Sequence, residues 1–333
     1  MSFSDQQLIS LFEQYMASSN HPDQAGFRDQ VYNRVWDKKA FIERQKMLAK
    51  LGGFNGKHLL DVGCAFGWHA FLFSLMGNNS VVGIDILPGM IEGMNESSAA
   101  MKAKGVAFDT KGICGDICDV KLEPRSFDAI YSIEAIEHVH DLAAMFARCR
   151  ELLKPGGKLL LLNDNNVLHR ETREDVIKMW EQREHSWDWV AKLKNWRPVE
   201  HANAKPFAVM REEIVRAANP SLDKNSVTAV VDGTAGLLKS QIEEMARSYK
   251  AGIKFPELDQ YDRCRNPETG EYAERLLDPF KLASMLRKEG FRKTQVRHYF
   301  RRFPLNWLNG IQFRPLNNYL FNLRSPFIVV GSL

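Results

Sequence analysis

His58-Leu59-Leu60-Asp61-Val62-Gly63-Cys64-Ala65-Phe66-Gly67 is the stretch that decides the fold. Its apolar residues read as a short buried strand, and the glycine-containing turn behind it opens an apolar helix over 68–76. Glycines let the backbone turn sharply and approach a ligand closely. The helix N-terminus behind such a turn favours a negative group. Downstream the same rhythm repeats. Strands are expected over 81–86, 127–133 and 158–162, and helices over 90–104 and 142–153, with Pro155-Gly156-Gly157 turning into the strand at 158. Strand and helix in alternation predict an α/β fold, a parallel sheet wrapped by helices.

The alternation stops near Asn163 and returns at Asp278-Pro279, an acidic cap followed by proline in the first helical turn. That helix ends at Gly290, and strands are expected over 291–300 and 326–330. Four regions follow: 1–50 as an N-terminal helical lid, 51–164 as the ligand-binding core, 165–276 as a mostly helical insertion, and 277–333 as the completion of the core. In the first, His21-Pro22-Asp23 separates two helices. In the insertion, Thr172 and Asp175 resemble a capping box, Val176, Trp180, Trp187 and Val190 share a helix face, and a further helix is expected over 236–249.

The chain has 333 residues, 44% hydrophobic and 26% charged, the balance of a globular protein with a core and not of a disordered one. No apolar run approaches a membrane span, and Met1 to Gln7 lack the basic start and apolar core of a signal peptide. Five scattered cysteines fit reduced thiols, so a cytoplasmic location is expected. The net charge of +4 conceals an asymmetry: residues 281–333 hold ten Lys or Arg against one acid, Glu289, and so carry +9, which leaves −5 for the rest. Such an end suggests a local anionic partner.

A carboxylate, Asp85, closes the second strand, where an acid accepts bonds from both hydroxyls of a nucleoside ribose. A dinucleotide site wants G-x-G-x-x-G, whereas here Gly63 and Gly67 flank Ala65. The arrangement resembles the class I S-adenosylmethionine-dependent methyltransferases. Gly83-Ile84-Asp85, Gly115-Asp116-Ile117, Phe127-Asp128-Ala129-Ile130-Tyr131-Ser132 and Leu153-Lys154-Pro155-Gly156-Gly157 match that family's later motifs in order, over 58–163. The resemblance implies a Rossmann-like, seven-stranded, mostly parallel sheet with an antiparallel last strand, plus a helical cap. It implies S-adenosyl-L-methionine as cofactor, held by Asp61, Gly63, Cys64, Ala65, Gly67, Asp85, Ile86, Asp116, Ile117 and Ser132, with Asp116 receiving the adenine amine. Ala65 departs from the family's glycine. Tyr32 and Trp36 are candidates to close over the methyl group, or else the buried face of an N-terminal helix.

Behind the fourth strand stands Glu134-Ala135-Ile136-Glu137-His138-Val139-His140. Glu134, Glu137 and His138 suit Mg²⁺ or another divalent cation. The Glu-x-x-Glu-His string resembles ubiquinone-pathway O-methyltransferases and small-RNA 2′-O-methyltransferases, in which it can hold a divalent metal that orients the target hydroxyl; other members of the broad family carry Glu-His without one. Transfer to oxygen also profits from a base, with His138, His140 and His185 as the candidates. Trp180, Trp187, Trp189 and Trp196 wall an acceptor or form the core of the cap. The expected function is methyl transfer to a small-molecule or glycan acceptor, most simply at oxygen. RNA methylation is the alternative, on the metal string and on the basic, aromatic C-terminal segment. That segment also suits peripheral contact with an anionic membrane surface. A non-catalytic cofactor-binding subunit is the third reading. Oligomeric state is not legible.

Overall fold

The computed structural model describes residues 3–28, 37–258, 261, 263–299 and 314–333; Tyr32 and Trp36 lie outside them. Its strands are β1 His58–Val62, β2 Ser80–Asp85, β3 Asp109–Cys114, β4 Phe127–Ile133, β5 Leu153–Asn163, β6 Arg292–His298 and β7 Phe327–Ser332. They form one sheet in the order β3-β2-β1-β4-β5-β7-β6. β1 pairs in parallel with β2 and β4, and β7 runs antiparallel between β5 and β6. The order reverses between β1 and β4, so the turn after β1 and the loop after β4 open side by side at the carboxyl edge.

The run Leu159–Leu162 shows why this sheet is covered on both faces. Leu159 and Leu161 point to Leu60, Ile130 and Phe146, while Leu160 and Leu162 point to Leu59, Tyr131 and Phe73, and all are buried. A strand enclosed on both faces reads as continuous apolar sequence. Cutting one such leucine to Ala costs about 2–5 kcal/mol.

The core helices are α1 Asp5–Met16, α2 Pro22–Phe27, α3 Lys38–Gly52, α4 Trp68–Gly77, α5 Pro88–Ala103 and α6 Leu142–Leu152. Leu8, Phe12 and Tyr15 of α1 pack with Phe66 and Phe71, and the Tyr15 hydroxyl donates to the Phe66 carbonyl at 3.0 Å. The insertion holds α7 Arg170–His185, α8 Trp187–Trp196, α9 Phe207–Ala218, α10 Lys224–Gly233 and α11 Lys239–Ser248; α12 Pro279–Lys288 and α13 Arg314–Leu323 complete the chain. The insertion has its own apolar cluster around Ile214, Val215, Val230 and Ile242. All five cysteines are free thiols. No helix among the described residues is long and apolar enough to cross a membrane.

Three local expectations change. β3 was unnamed in the sequence because, of Asp109, Thr110 and Lys111, only Thr110 is buried, so an edge strand left little apolar signal. The helix expected to be capped at Thr172 starts earlier, because the His169 ring accepts the Thr172 N–H at 3.2 Å. The shared face from Val176 to Val190 is broken at Ser186, whose backbone is extended and whose hydroxyl accepts the Trp189 N–H. Val176 and Val190 are still buried, on separate helices, while Trp187 is 55% exposed.

Candidate functional site

The turn after β1 is wound left-handed at Gly63, Ala65 and Gly67, with φ of +76°, +46° and +74°. A Cβ on Gly63 would overlap the Ala135 Cβ, so the turn and the loop behind β4 touch only because that side chain is absent. Ala65 keeps the same twist at a cost of about 1 kcal/mol. Its N–H donates to Asp85 Oδ2 at 2.9 Å, and the Leu87 N–H donates to Oδ1 at 3.0 Å. Burial raises the Asp85 pKa, and these two bonds work against the rise. Each carboxylate oxygen keeps a lone pair for a further donor. Asp61 lies beneath, 1% exposed, with the buried Tyr131 hydroxyl beside its carboxylate. Burial, helped by the Asp85 charge, holds Asp61 well above the usual carboxylate range.

The other candidates for the cofactor divide between open and committed. Ile86 is 45% exposed at the rim. Asp116 accepts the Cys118 N–H at 2.8 Å and stands 4.0 Å from His140 Nδ1. Ile117 is enclosed in the core, Cys64 is buried, and the Ser132 hydroxyl donates to the Val62 carbonyl at 2.7 Å, tying β4 to β1.

Behind β4 the structure assembles a centre that the sequence only half contains. His138 Nδ1 bonds the Tyr272 carbonyl at 2.9 Å. As donor to a carbonyl, Nδ1 carries the proton, and Nε2 is left with its lone pair. Ligand atoms of Glu137, His138 and Glu274 lie within 4.8 Å of one another. Asn163 donates to Glu137 at 2.6 Å and Asn165 donates to Glu274, so each carboxylate is held in place. The Trp180 indole fixes the loop by donating to the Glu274 carbonyl at 2.7 Å. Burial pushes Glu137 up to about 7, with Glu274 adding to the rise and His138 opposing it. Burial works against a charged His138, but Glu137 and Glu274 outweigh it and its pKa is raised.

Glu134, expected beside Glu137, is turned elsewhere. Its backbone has φ of +51°, its carboxylate accepts the Asp164 N–H at 3.1 Å, and Arg44 stands 3.9 Å away. Glu274 takes the expected place. Nothing in the local sequence pointed there, since Tyr272 is 134 residues from its histidine. His140 is exposed and is tied through its carbonyl to Arg275 at 3.2 Å. His185 is exposed in the last turn of α7. Trp187 lines an outward groove of about 570 Å³ with Lys194, Lys205 and Met210.

The insertion also reaches α2, near the edge that holds Asp85. Val199 and Glu200 donate their N–H groups to the two oxygens of Asp23 at 2.9 and 3.0 Å, and Trp196 stacks on Phe27 with centroids 5.7 Å apart. Arg197 pairs with Glu200 at 2.6 Å, and its charge lowers the Asp85 pKa while that of Glu271 raises it. α2 thus anchors the insertion over the edge of the sheet.

Residues 60–161 match the family model described as a methyltransferase domain. Over 106 residues the chain is 36% identical to phosphoethanolamine N-methyltransferase 3 of Arabidopsis thaliana, covering 32% of this chain and 21% of that protein. Over 163 residues it is 29% identical to the ubiquinone biosynthesis O-methyltransferase of Pseudomonas aeruginosa, covering 45% of this chain and 66% of that protein. The chain thus spans about a fifth of the first relative and 66% of the second. A crystal structure of an S-adenosylmethionine dependent methyltransferase from Mesorhizobium loti aligns over 88% of this chain and 98% of its own, at a TM-score of 0.45 and 16% identity.

Proposed function

With residues 60–161 forming a methyltransferase domain of the class I S-adenosylmethionine-dependent family, we propose that the chain transfers a methyl group to a hydroxyl of a small-molecule or glycan acceptor. The observation that carries the reading is the His138 centre: its Nδ1 bonds the Tyr272 carbonyl, which leaves Nε2 with a lone pair, and its ring stands within ligand reach of the Glu137 and Glu274 carboxylates. When bound, S-adenosylmethionine supplies a methyl carbon on a good leaving group, the sulfonium. Asp85 is the acceptor for its ribose hydroxyls, and the turn at Gly63–Gly67 leaves room for its backbone approach. The chain's part would be to hold an acceptor hydroxyl at this edge, facing the place where the cofactor would present its methyl group, which would pass to the oxygen as the sulfonium sulfur took back its electron pair. His138 Nε2 takes the hydroxyl proton, and Glu137 and Glu274 stabilise the imidazolium that results. Holding the acceptor at this edge supplies the rest of the acceleration. Relatives named for nitrogen and for oxygen acceptors both match the domain, so the choice of oxygen rests on this base.

The same three groups favour a second reading. A neutral imidazole with its Nδ1 on a carbonyl and two carboxylates held by asparagines fit Mg²⁺ or Mn²⁺. Glu137, His138 and Glu274, not Glu134, would hold it, and it would polarise the acceptor hydroxyl. Measuring S-adenosylhomocysteine release against a panel of hydroxyl acceptors, with and without chelator, separates the readings. Full turnover in chelator leaves His138 as base; turnover lost in chelator and restored by Mg²⁺ assigns the cation. Activity unaffected in His138→Ala removes both.

A further inference from the structure

Two cations of the insertion carry more buried donors than the described residues accept. Arg197 closes α8, and its guanidinium lies 4.5 Å from the centre of the Trp196 ring. Trp196 stacks on Phe27, and the Phe27 ring lies 4.6 Å from that of Trp68, the first residue of α4 after the turn behind β1. This file of rings fixes Arg197 relative to that turn. Arg183, near the end of α7, lies 4.7 Å over the Phe207 ring. Arg197 pairs with Glu200 through Nη1, but its Nε is buried without a hydrogen-bond partner among the described residues, as are Arg183 Nη1 and Trp196 Nε1.

Both cations act on the groups at the sheet edge. Beside the burial effects already described, the Arg197 charge lowers the pKa of Asp85 and of His138 alike, so it stands within reach of both. Burial lowers the Arg183 pKa, with Arg197 adding to the fall and Cys264, Glu200 and Glu271 opposing it. A guanidinium keeps its proton regardless, and a buried donor left unmatched is costly. Burial pushes Glu200 up to about 7, so at neutral pH it balances only part of the positive charge. Two like charges with unmatched N–H groups gain most from one anion that accepts from both.

We propose that Arg183 and Arg197 form an oxyanion subsite, which takes a carboxylate or phosphate carried by the acceptor and so holds the acceptor's hydroxyl toward His138. The inference rests on the reading above and narrows it: the substrate class becomes a small hydroxylated acid. A guanidinium offers donors in a planar fork that matches two oxygens of either group. The cofactor also carries a carboxylate, at its methionine end. The residues expected at the cofactor all stand on the core, 58–163, whereas Arg183 and Arg197 belong to the insertion, which favours the acceptor as the source of the anion.

The test is calorimetry of the full chain saturated with S-adenosylhomocysteine and titrated with inorganic phosphate, with benzoate and, as a neutral control, with benzamide. Saturable binding of at least one anion, and none of benzamide, is expected. Arg183→Gln and Arg197→Gln should each weaken it by at least about tenfold, and Arg183→Lys and Arg197→Lys, which keep the charge, should weaken it less. Glu200→Gln keeps the shape and removes the competing carboxylate, so it should leave anion binding intact or tighten it. Circular dichroism checks the fold of each variant. No saturable anion binding, or binding unchanged in both Gln variants of the arginines, overturns the proposal. So does a loss in Glu200→Gln as large as in Arg197→Gln, which would make Arg197 half of a structural ion pair. The source of the anion is read from the affinities for S-adenosylhomocysteine and for 5′-methylthioadenosine, which lacks the methionine end; unchanged values for both are expected in the arginine variants. If the variants weaken the first and spare the second, the anion is the cofactor's own carboxylate and the acceptor assignment is overturned. None of these measurements needs turnover, so a failure of His138 as base leaves their outcome unaffected.

Discussion

Residues 58–163 and 165–276 fold by different rules. In the first, the arrangement follows from neighbours in sequence: a strand, a turn wound at Gly63 and Gly67, and an acid at the end of the next strand. In the second, helices have their own apolar cluster, and the segment after them brings Tyr272 to His138 and Glu274 to Asn165 by contacts that span more than a hundred residues. The difference teaches that the turn after β1 and Asp85 are joined by local contacts, while the Glu137–His138–Glu274 cluster is divided between both regions.

The sharpest way to break this comparison is His138→Ala. Turnover should fall by about 10²–10⁴ with S-adenosylmethionine affinity unchanged in calorimetry; a parallel loss of affinity would mean that the two halves are not separable. Asp85→Ala should do the reverse, weakening cofactor binding by about 1.5–3 kcal/mol, and unchanged affinity in a folded variant would remove the ribose assignment. Glu274→Gln keeps the shape of the loop and removes a charge from beside His138. A fall in turnover of about tenfold, with cofactor affinity intact, is expected from a group that supports the base without being it.

Acid stability compares the halves directly. Burial, aided by Arg44, lowers the His69 pKa to about 3, and burial, aided by Arg197 and Arg183, lowers that of His201 to about 3. Both are neutral when folded, whereas the unfolded chain takes up their protons below its usual value of 6.5. Stability is therefore full above that value and is lost as pH falls toward 3. His69→Gln and His201→Gln should each flatten the pH slope of urea-unfolding free energy by up to about 1.4 kcal/mol per pH unit in that window. An unchanged slope for His201→Gln alone would mean that the insertion opens before the sheet unfolds. The smallest effect is expected from Trp187→Ala or His185→Ala. Both side chains are exposed, and turnover should stay within about twofold; a larger loss would move the acceptor to the outward groove.

How much was legible can be judged from particular residues. The parallel strands, the glycine turn and Asp85 were readable because each is written within a few residues: an apolar run, a turn and an acid at a strand end. Glu134 misled because spacing places two carboxylates and a histidine in one string, while the left-handed backbone at Glu134 turns its carboxylate to the Asp164 N–H. The helix face drawn through Trp180 and Trp187 failed because Ser186 stops one helix and caps the next.

By itself, the sequence determined the covered parallel sheet, the glycine turn and the acid that closes β2, since hydrophobic period and backbone freedom act between near neighbours. Only the tertiary structure decided that Glu274 joins Glu137 and His138, that Asp23 holds the insertion at Val199 and Glu200, and that α13 turns Leu316, Tyr319 and Leu323 outward. Those choices depend on which distant backbone carbonyl or carboxylate satisfies a buried polar group, and no local pattern encodes that partner.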